Sequence, residues 1–367
     1  MSKADEFAEL LDTGSTAFAD DTVVDVDVHM SYSADLRRKV ARYMDKPYRG
    51  YTDPDTASDG YPDHGWPKSL GGARKFHLMD VTSPEDVVEP LCEGFGVDHP
   101  IVNVSSPVDD FLKHDRALAE ARAINDFLLD DFLDEDDRLR GLATIPARDP
   151  DFAVEEVERI ADEDGIVGVY FSVCQEFSEP MGDPKFDELY RTLEDNDLTP
   201  VYHITGIHRN AQVLRRLQKV ASWHATGPAW AAQLTLTSLV MQGTAEKFPD
   251  LDFLLLEGGL GWVPGMMARL NREYGQWRNE LPLLERSPEQ AIRDQFYFGT
   301  QPLPEFEDPQ HMRWLLEMIG SDSLMFSTDH PHYDFDHPSQ IDKFLRNFDD
   351  DERAAVLADN ARGVFDL

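Results

Sequence analysis

The stretch Val23-Val24-Asp25-Val26-Asp27-Val28-His29 alternates β-branched and polar residues. This period-2 pattern is typical of a β-strand, with valines on one face and Asp25, Asp27 and His29 on the other. At the end of a buried strand, Asp27 and His29 could both contact one divalent cation, because carboxylates and imidazoles are common metal ligands. The alternative is an exposed edge strand whose acidic side chains are solvated.

Net charge is the second unusual feature. The 367 residues contain 71 Asp and Glu against 34 Lys and Arg, which gives a formal net charge of −37. A compact chain with this charge repels itself at low salt, whereas molar salt shortens the Debye length to about 3 Å. We therefore predict a halophilic protein. The same charge argues against binding to nucleic acid or to an anionic membrane surface.

Targeting and membrane signals are missing from the sequence pattern. Residues 1–21 are acidic and lack the apolar core of a signal peptide, so we expect a short lead-in before the first strand. No run approaches the roughly 18 apolar residues of a membrane span. Cys92 and Cys174 are the only cysteines, so a disulfide framework is excluded. A cytoplasmic location is the expectation.

Strands and helices alternate along most of the chain, which predicts a parallel sheet with helical crossovers. Eight strands favour a (β/α)₈ TIM barrel over residues 22–367, with residues 30–80 as a long insertion that serves as a lid or substrate loop. An open doubly wound sheet is the competitor, but no G-x-G-x-x-G motif follows the first strand. Residues 208–220 and 229–247 are each expected to form one helix. The predicted strands cover residues 23–29, 99–104, 139–145, 166–171, 200–204, 251–256, 295–298 and 323–327.

Metal-competent side chains follow several of these strands. Asp27 and His29 end the first, His203 lies at the end of the fifth, Glu257 follows the sixth and Asp329 follows the eighth. Each of these residues alone is weak evidence for a metal site, because strand-end histidines are often hydrogen-bonded in the core and strand-end aspartates often cap helices. In a barrel, however, all these ends face one mouth, so together they predict a site for one divalent metal ion.

Three segments resemble motifs of a known family. They are the opening Asp-Val-Asp-Val-His and the stretches Phe248-Pro-Asp-Leu-Asp-Phe-Leu-Leu-Leu-Glu-Gly-Gly-Leu-Gly-Trp-Val-Pro264 and Leu324-Met-Phe-Ser-Thr-Asp-His-Pro-His332. The chain resembles the amidohydrolase superfamily over about residues 22–362. The similarity is to its amidohydrolase-related branch, which includes aminocarboxymuconate-semialdehyde decarboxylase.

The resemblance implies roles for the strand-end residues. His29 and His203 would be metal ligands, and Asp329 a ligand or the carboxylate that transfers protons. Asp27 stands where many members have the first histidine of an H-x-H pair, as in decarboxylase-type members that use an acid there. Glu257 replaces a histidine of other members and could ligate, orient water or shuttle protons. The expected ion is Zn²⁺ or Mn²⁺, with Mg²⁺ or Fe²⁺ as alternatives; the extra carboxylate favours Mn²⁺ or Mg²⁺ somewhat.

Substrate-binding candidates are Arg269, His224 and His332. The resemblance implies a carboxylate-binding role for Arg269, with an exposed helix-face arginine as the alternative. His224 could reach the site from a loop region or be a surface histidine. His332 could orient Asp329 or simply stack beneath Pro331.

Two chemistries fit the same metal: Asp27 and the resemblance to this branch favour decarboxylation, whereas the superfamily as a whole favours hydrolysis. A hydrolase would use metal-activated water on an amide, lactone or ester of a small organic acid. A non-oxidative decarboxylase would release CO₂ from an aromatic or enol carboxylic acid. We place hydrolysis first because it is the broader class. A non-catalytic ligand-binding barrel is the third alternative. The expected partner is a small carboxylic acid, and a homodimer stays open.

The charge predicts a strong dependence of stability on salt. The melting temperature should rise by several degrees or more between 0.1 M and 2 M KCl, because screening removes self-repulsion of the folded state. Differential scanning fluorimetry across a KCl series checks this. Melting at one temperature in all salt concentrations would contradict the halophile prediction.

Overall fold

The computed structural model describes residues 18, 21–30, 32–56, 79–106, 108–110, 114–173, 180–204, 217, 219–336 and 338–367. Eight strands lie in one sheet in the order of the chain, and their paired neighbours run parallel. The strands are β1 (Val24–Met30), β2 (His99–Val104), β3 (Arg140–Thr144), β4 (Ile166–Val173), β5 (Thr199–Ile204), β6 (Phe253–Leu255), β7 (Phe296–Gly299) and β8 (Leu324–Met325).

Helices separate successive strands. Two segments, Val88–Phe95 and Ala355–Asp359, are π-helical, and five single turns are 3₁₀-helical. The α-helices among the described residues are α1 (Ala34–Val40), α2 (Arg49–Thr52), α3 (Glu85–Val87), α4 (His114–Asp131), α5 (Pro150–Ile160), α6 (Asp187–Asp195), α7 (Val220–His224), α8 (Gly227–Met241), α9 (Thr244–Lys247), α10 (Val263–Gln276), α11 (Pro288–Gln295), α12 (Pro309–Ile319), α13 (Pro338–Leu345), α14 (Asp350–Ala354) and α15 (Asn360–Phe365).

The chain after β8 returns to the first strand. Val28 forms a parallel bridge with His330, and Val26 N–H donates to the Phe326 carbonyl over 3.0 Å. Together with the strand order, this confirms the predicted (β/α)₈ barrel fold. All seven residues of β1 are buried, so the exposed edge strand considered from the sequence is wrong.

The described chain divides into two compact units, Met1–Val169 with Phe326–Asp342 and Tyr170–Met325 with Lys343–Leu367. In the first unit, the buried amide of Asn125 on α4 donates to the Thr144 carbonyl over 2.9 Å and accepts from the Thr144 N–H over 2.8 Å. These bonds tie the helix to the end of β3. A buried backbone needs such partners when its strand ends inside the protein.

The second unit has an aromatic core. The ring of Phe253 stacks on Phe296 with centroids 4.8 Å apart. The buried phenols are also satisfied, because Tyr202 donates to the Tyr190 hydroxyl and Tyr190 donates to the Met181 carbonyl, each over 2.8 Å. Burial raises the pKa of both phenols, so they stay neutral donors.

Two predicted segments differ from the structure. The single helix expected over 229–247 is two helices, because α8 ends before Gly243, whose φ of 77° lies in the left-handed region. The described part of the predicted 30–80 loop contains α1 and α2. The lead-in, most of 57–80 and most of the predicted 208–220 helix lie outside the described residues.

The described helices include none with the length and apolar character that crossing a membrane requires.

Asp252, just before β6, provides a pH-dependent stability test. Burial raises its pKa from 3.8 to about 6, so between these pH values the carboxyl is protonated in the folded protein but ionised in the unfolded chain. The resulting penalty grows between these two pH values and is constant above them. Asp252→Asn should therefore raise the free energy of unfolding at pH 8 by about 1–2 kcal/mol, a value reduced for partial solvent screening.

Urea unfolding at fixed molar salt checks the Asp252 prediction. Asp250→Asn, at an exposed neighbouring position, is the control and should change little. Near pH 3 the advantage of Asp252→Asn should have largely disappeared, because both states then bind the proton. Equal stability of parent and Asp252→Asn at pH 8 would contradict the burial argument.

Candidate functional site

The end of β1 carries two fully buried polar side chains, Asp27 and His29. They lie two positions apart, so a strand directs both to the same face. His29 Nε2 lies 3.0 Å from Asp27 Oδ1. The pairing expected from the sequence at this strand end is therefore present.

Backbone hydrogen bonds place Asp329 beside this pair. Asp329 N–H donates to the Asp27 carbonyl over 3.1 Å, and His29 N–H donates to the His330 carbonyl over 2.7 Å. As a result, Asp329 Oδ1 lies 3.1 Å from His29 Nε2. The strand-one and strand-eight residues of the predicted site are thus brought together in the first unit.

Asp25 holds the same two segments together from deeper in the protein. Its carboxylate accepts hydrogen bonds from Thr328 Oγ1 at 2.5 Å, Thr328 N–H at 3.0 Å and Asp27 N–H at 3.2 Å. Burial nevertheless raises its pKa to about 7. The sequence placed Asp25 on the polar face of the strand, but only the structure identifies its partner.

His332 belongs to the same cluster. Its Nδ1 contacts Asp329 Oδ1, and its ring stacks on His29 with centroids 4.3 Å apart and an interplanar angle of 28°. Its side chain is buried. Of the two alternatives considered from the sequence, the contact with Asp329 is present.

Asn103 on β2 was missed by the sequence reasoning. This fully buried residue is the register partner of His29 in the parallel pair β1–β2. Its Oδ1 accepts from His29 Nδ1 over 2.9 Å, and its Nδ2 donates to Asp27 Oδ1 over 3.1 Å. The sequence feature that could have identified Asn103 is its polar amide within the mostly apolar strand β2.

The second unit carries the other two strand-end residues. His203 Nε2 lies 3.4 Å from Glu257 Oε1, and His203 Nδ1 lies 3.1 Å from the Tyr170 hydroxyl. His203 is buried, whereas the Glu257 side chain keeps 17% of its exposure. In this unit the buried imidazole of His203 therefore lies between a more accessible carboxylate, beside its Nε2, and the Tyr170 phenol, beside its Nδ1.

Two candidate acids have unusual backbone. Asp329 has φ of 65° and Glu257 has φ of 52°, both in the left-handed region that residues with a Cβ seldom adopt. Such conformations cost of order 1–3 kcal/mol and persist where the surroundings enforce them. The surrounding fold, and not the local conformational preference of the backbone, therefore sets the position of both side chains.

The donor set of the first unit fits a divalent cation. Because His29 Nδ1 donates to Asn103, a neutral His29 presents its Nε2 lone pair to two carboxylates. Electron-rich atoms this close repel one another unless a cation lies among them. His29, Asp329 and His332 offer ligand atoms within 4.8 Å of one another, a group that could hold one metal ion.

The pKa of His29 reflects the same electrostatics. Burial is the largest single effect and disfavours the charged form, but the Asp27 carboxylate and the hydrogen bonds to Asp27 and Asp329 together outweigh it and raise the pKa above its ordinary value. The acids around His29 thus favour positive charge at this position, which a bound metal ion would also supply.

The remaining predicted substrate residues lie elsewhere in the second unit. Arg269 is on α10, where its side chain is 65% exposed and its Nη2 lies 2.9 Å from Glu273 Oε1. His224 ends α7, half-buried, with its ring edge-on to Trp223 at 5.8 Å. These positions give no support to substrate binding by Arg269 or His224, and both roles stay predictions.

Comparison with known proteins decides the family. The amidohydrolase family model matches residues 96–367, which is most of the chain. The chain belongs to the amidohydrolase family. This amidohydrolase is 28% identical over 322 residues to a gamma-resorcylate decarboxylase of Polaromonas sp. (strain JS666 / ATCC BAA-500), covering 83% of this chain and 92% of that protein.

Solved structures share the fold. The 5-carboxyvanillate decarboxylase of Sphingomonas paucimobilis has a TM-score of 0.69 at 21% identity, covering 94% of this chain and 99% of that one. A dihydroxybenzoic acid decarboxylase of Polaromonas sp. JS666, with bound manganese and the inhibitor 2-nitroresorcinol, has a TM-score of 0.69 at 20% identity, covering 95% and 97%.

These findings make the chain an enzyme, either a hydrolase or a carboxy-lyase. The matched relatives are named as gamma-resorcylate decarboxylases, so hydrolysis, the first of the two chemistries predicted from the sequence, is not supported and the alternative fits better. A single divalent metal ion agrees with the ligand cluster and with the manganese of the Polaromonas structure.

Substitution of His29 tests the metal site. The purified protein should carry about one Mn or Zn ion per chain, and His29→Ala should lose most of it, because a central ligand atom is removed. Elemental analysis checks this. His99→Ala is the matched control, since His99 lies at the opposite strand end and contacts the Arg138 carbonyl. Unchanged metal content in His29→Ala, or none in the parent, would contradict the prediction.

Proposed function

We propose that this amidohydrolase is a metal-dependent, non-oxidative decarboxylase of a small aromatic hydroxy acid. The observation that carries the proposal is its similarity to gamma-resorcylate decarboxylase over 92% of that protein's length. The acidic residue Asp27, in place of the first histidine of the H-x-H pair, supports the same choice. An inhibitor named 2-nitroresorcinol on the Polaromonas enzyme indicates the size and planarity of the expected substrate.

The proposed ligands are Asp27, His29, His203 and Asp329. The first two and Asp329 are supported by the distances of 3.0 and 3.1 Å to His29 Nε2. His203 is supported by its place at the end of β5 in the same parallel sheet and by the Tyr170 contact that directs Nε2 away from the phenol. Two carboxylates with two imidazoles suit Mn²⁺ and Zn²⁺.

A divalent ion, when bound, would supply positive charge that offsets the charge of an anionic substrate. Asp27 and His29 would fix that ion, and the buried surroundings would keep water away from the reacting carbon. Because Asp27, His29 and Asp329 are all buried, little rearrangement would be needed when the substrate enters.

Asp329 is the proposed proton donor. It would deliver a proton to the ring carbon that bears the carboxylate. The bond between that carbon and the carboxylate carbon would then break, its electron pair would restore the aromatic ring, and CO₂ would leave. His332, in contact with Asp329 Oδ1, would return a proton to the carboxylate.

Glu257 is proposed as the route of protons to solvent, because it is the more accessible acid and lies 3.4 Å from His203. His203 would in this way serve both as a ligand and as a neighbour of the proton path. Arg269 is not used in this proposal, since its guanidinium pairs with Glu273 on an exposed helix face.

Release of CO₂ from a panel of mono- and dihydroxybenzoates tests the proposal. The Mn²⁺-loaded protein in molar KCl should release CO₂ from at least one acid with a hydroxyl next to the carboxyl. Asp329→Asn should lower kcat by about 10²–10⁴-fold, as expected for loss of a general acid. Asparagine tolerates the left-handed backbone, so the variant should fold.

His311→Ala is the activity control, because His311 is exposed on α12 and contacts Trp314. It should release CO₂ at the parent rate. Hydrolysis of ester or lactone substrates without CO₂ release from any acid would overturn the proposed function in favour of a hydrolase.

A further inference from the structure

Asn103 is the one amide in the described apolar run of β2, and its side chain is fully buried. Burying an amide costs free energy unless its donors and acceptor are used. Here the cost is met by two side chains of β1 and not by backbone groups. The described side-chain hydrogen bonds of Asn103 to β1 therefore both go to residues proposed to hold the metal.

The direction of each hydrogen bond follows from the chemistry of the partners. The Asp27 carboxylate can only accept, so the Asn103 group 3.1 Å from it is the Nδ2 amine. This orientation leaves Asn103 Oδ1 facing His29 Nδ1 at 2.9 Å, and an amide oxygen can only accept. His29 must therefore carry a proton on Nδ1, which leaves Nε2 as the atom that can bind a metal in the neutral ring.

We infer that Asn103 is a positioning residue that selects the metal-binding tautomer of His29 and at the same time holds Asp27 Oδ1 beside it. The inference rests on the proposed metal-dependent function, which it deepens. One planar amide locks two ligands from a single strand at the separation seen between Nε2 and Oδ1, 3.0 Å.

A neutral amide is the side chain that this position requires. An aspartate at 103 would still accept from His29 Nδ1, but it would add a negative charge 3.1 Å from Asp27. A leucine would leave a buried imidazole N–H and a carboxylate without these partners. Ser105 Oγ lies 3.3 Å from His29 Nδ1 and is a weaker second contact, which does not reach Asp27 by any described bond.

Mn²⁺ affinity of the metal-free protein tests the inference without measuring turnover. Free Mn²⁺ is followed by electron paramagnetic resonance during titration at molar KCl. Asn103→Ala should weaken Mn²⁺ binding about 10–100-fold, as expected when a residue that orients ligands is removed. Ser105→Ala should weaken it by a smaller factor, because only the longer contact to His29 is lost.

Asn125→Ala is the matched control. Asn125 is also a fully buried asparagine of the first unit, but it bonds Thr144 and Glu156 and no proposed ligand. It should lower the melting temperature yet leave the Mn²⁺ dissociation constant within about two-fold of the parent. Equal loss of affinity in Asn125→Ala and Asn103→Ala would show a general effect of buried amides and would overturn the inference.

A second readout reports the tautomer directly. Long-range ¹H–¹⁵N spectra of histidine-labelled, metal-free protein should show His29 protonated on Nδ1 in the parent, with the other tautomer appearing in Asn103→Ala. If Asn103→Ala does not fold, Asn103→Ser keeps a small polar group in the cavity and should still lose the affinity, because serine cannot reach both partners. If the folded Asn103→Ser or Asn103→Ala variant binds Mn²⁺ as tightly as the parent, this result overturns the role of Asn103 but not the proposed function.

The parent titration separates this result from the proposed function. A parent that binds no Mn²⁺ would overturn the metal-dependent function together with the role of Asn103. A parent that binds Mn²⁺ and releases CO₂, with unchanged binding in the variants, would leave the function intact and remove only the positioning role.

Discussion

The pairing of β1 with the chain that follows β8 is the interaction on which the site depends. Three backbone hydrogen bonds of 2.7 to 3.1 Å join these segments. Asp25 and Thr328, separated by 303 positions, add two more. Because buried backbone groups must be paired, this register cannot slip without a large cost. Ligands from the two ends of the chain therefore meet at a fixed separation.

Burial of acidic side chains is the main free-energy cost of bringing these two segments together. Most acidic residues in the described part of the chain keep some exposure to solvent, yet Asp25, Asp27 and Asp329 are at most 2% exposed. Each has a separate compensation: Thr328 for Asp25, Asn103 for Asp27 and His332 for Asp329. These neutral or weakly basic partners leave net negative charge in the cluster, which is the condition for holding a divalent cation. This net negative charge would hold the divalent ion on which the proposed decarboxylation depends.

The backbone at Asp329 and Glu257 shows a second kind of cost. Among the described residues, four with a Cβ have positive φ, and two of them are these acids. Both acids follow the end of a strand, where the left-handed conformation changes the direction of the chain. Strain of this kind at both acids agrees with selection for the position of a carboxylate over local stability.

The sequence by itself determined the elements and the chemistry at their ends. Periodicity is a local property, so the alternating valines identified β1 and the apolar runs identified the other strands. The ends of the predicted strands then pointed to Asp27, His29, His203, Glu257 and Asp329, and the family resemblance implied their roles. Only the tertiary structure decided which side chains pair across strands, because pairing depends on register and closure and neither can be read from one segment. Asn103 opposite His29, Thr328 on Asp25 and the exposed position of Arg269 are results of that kind.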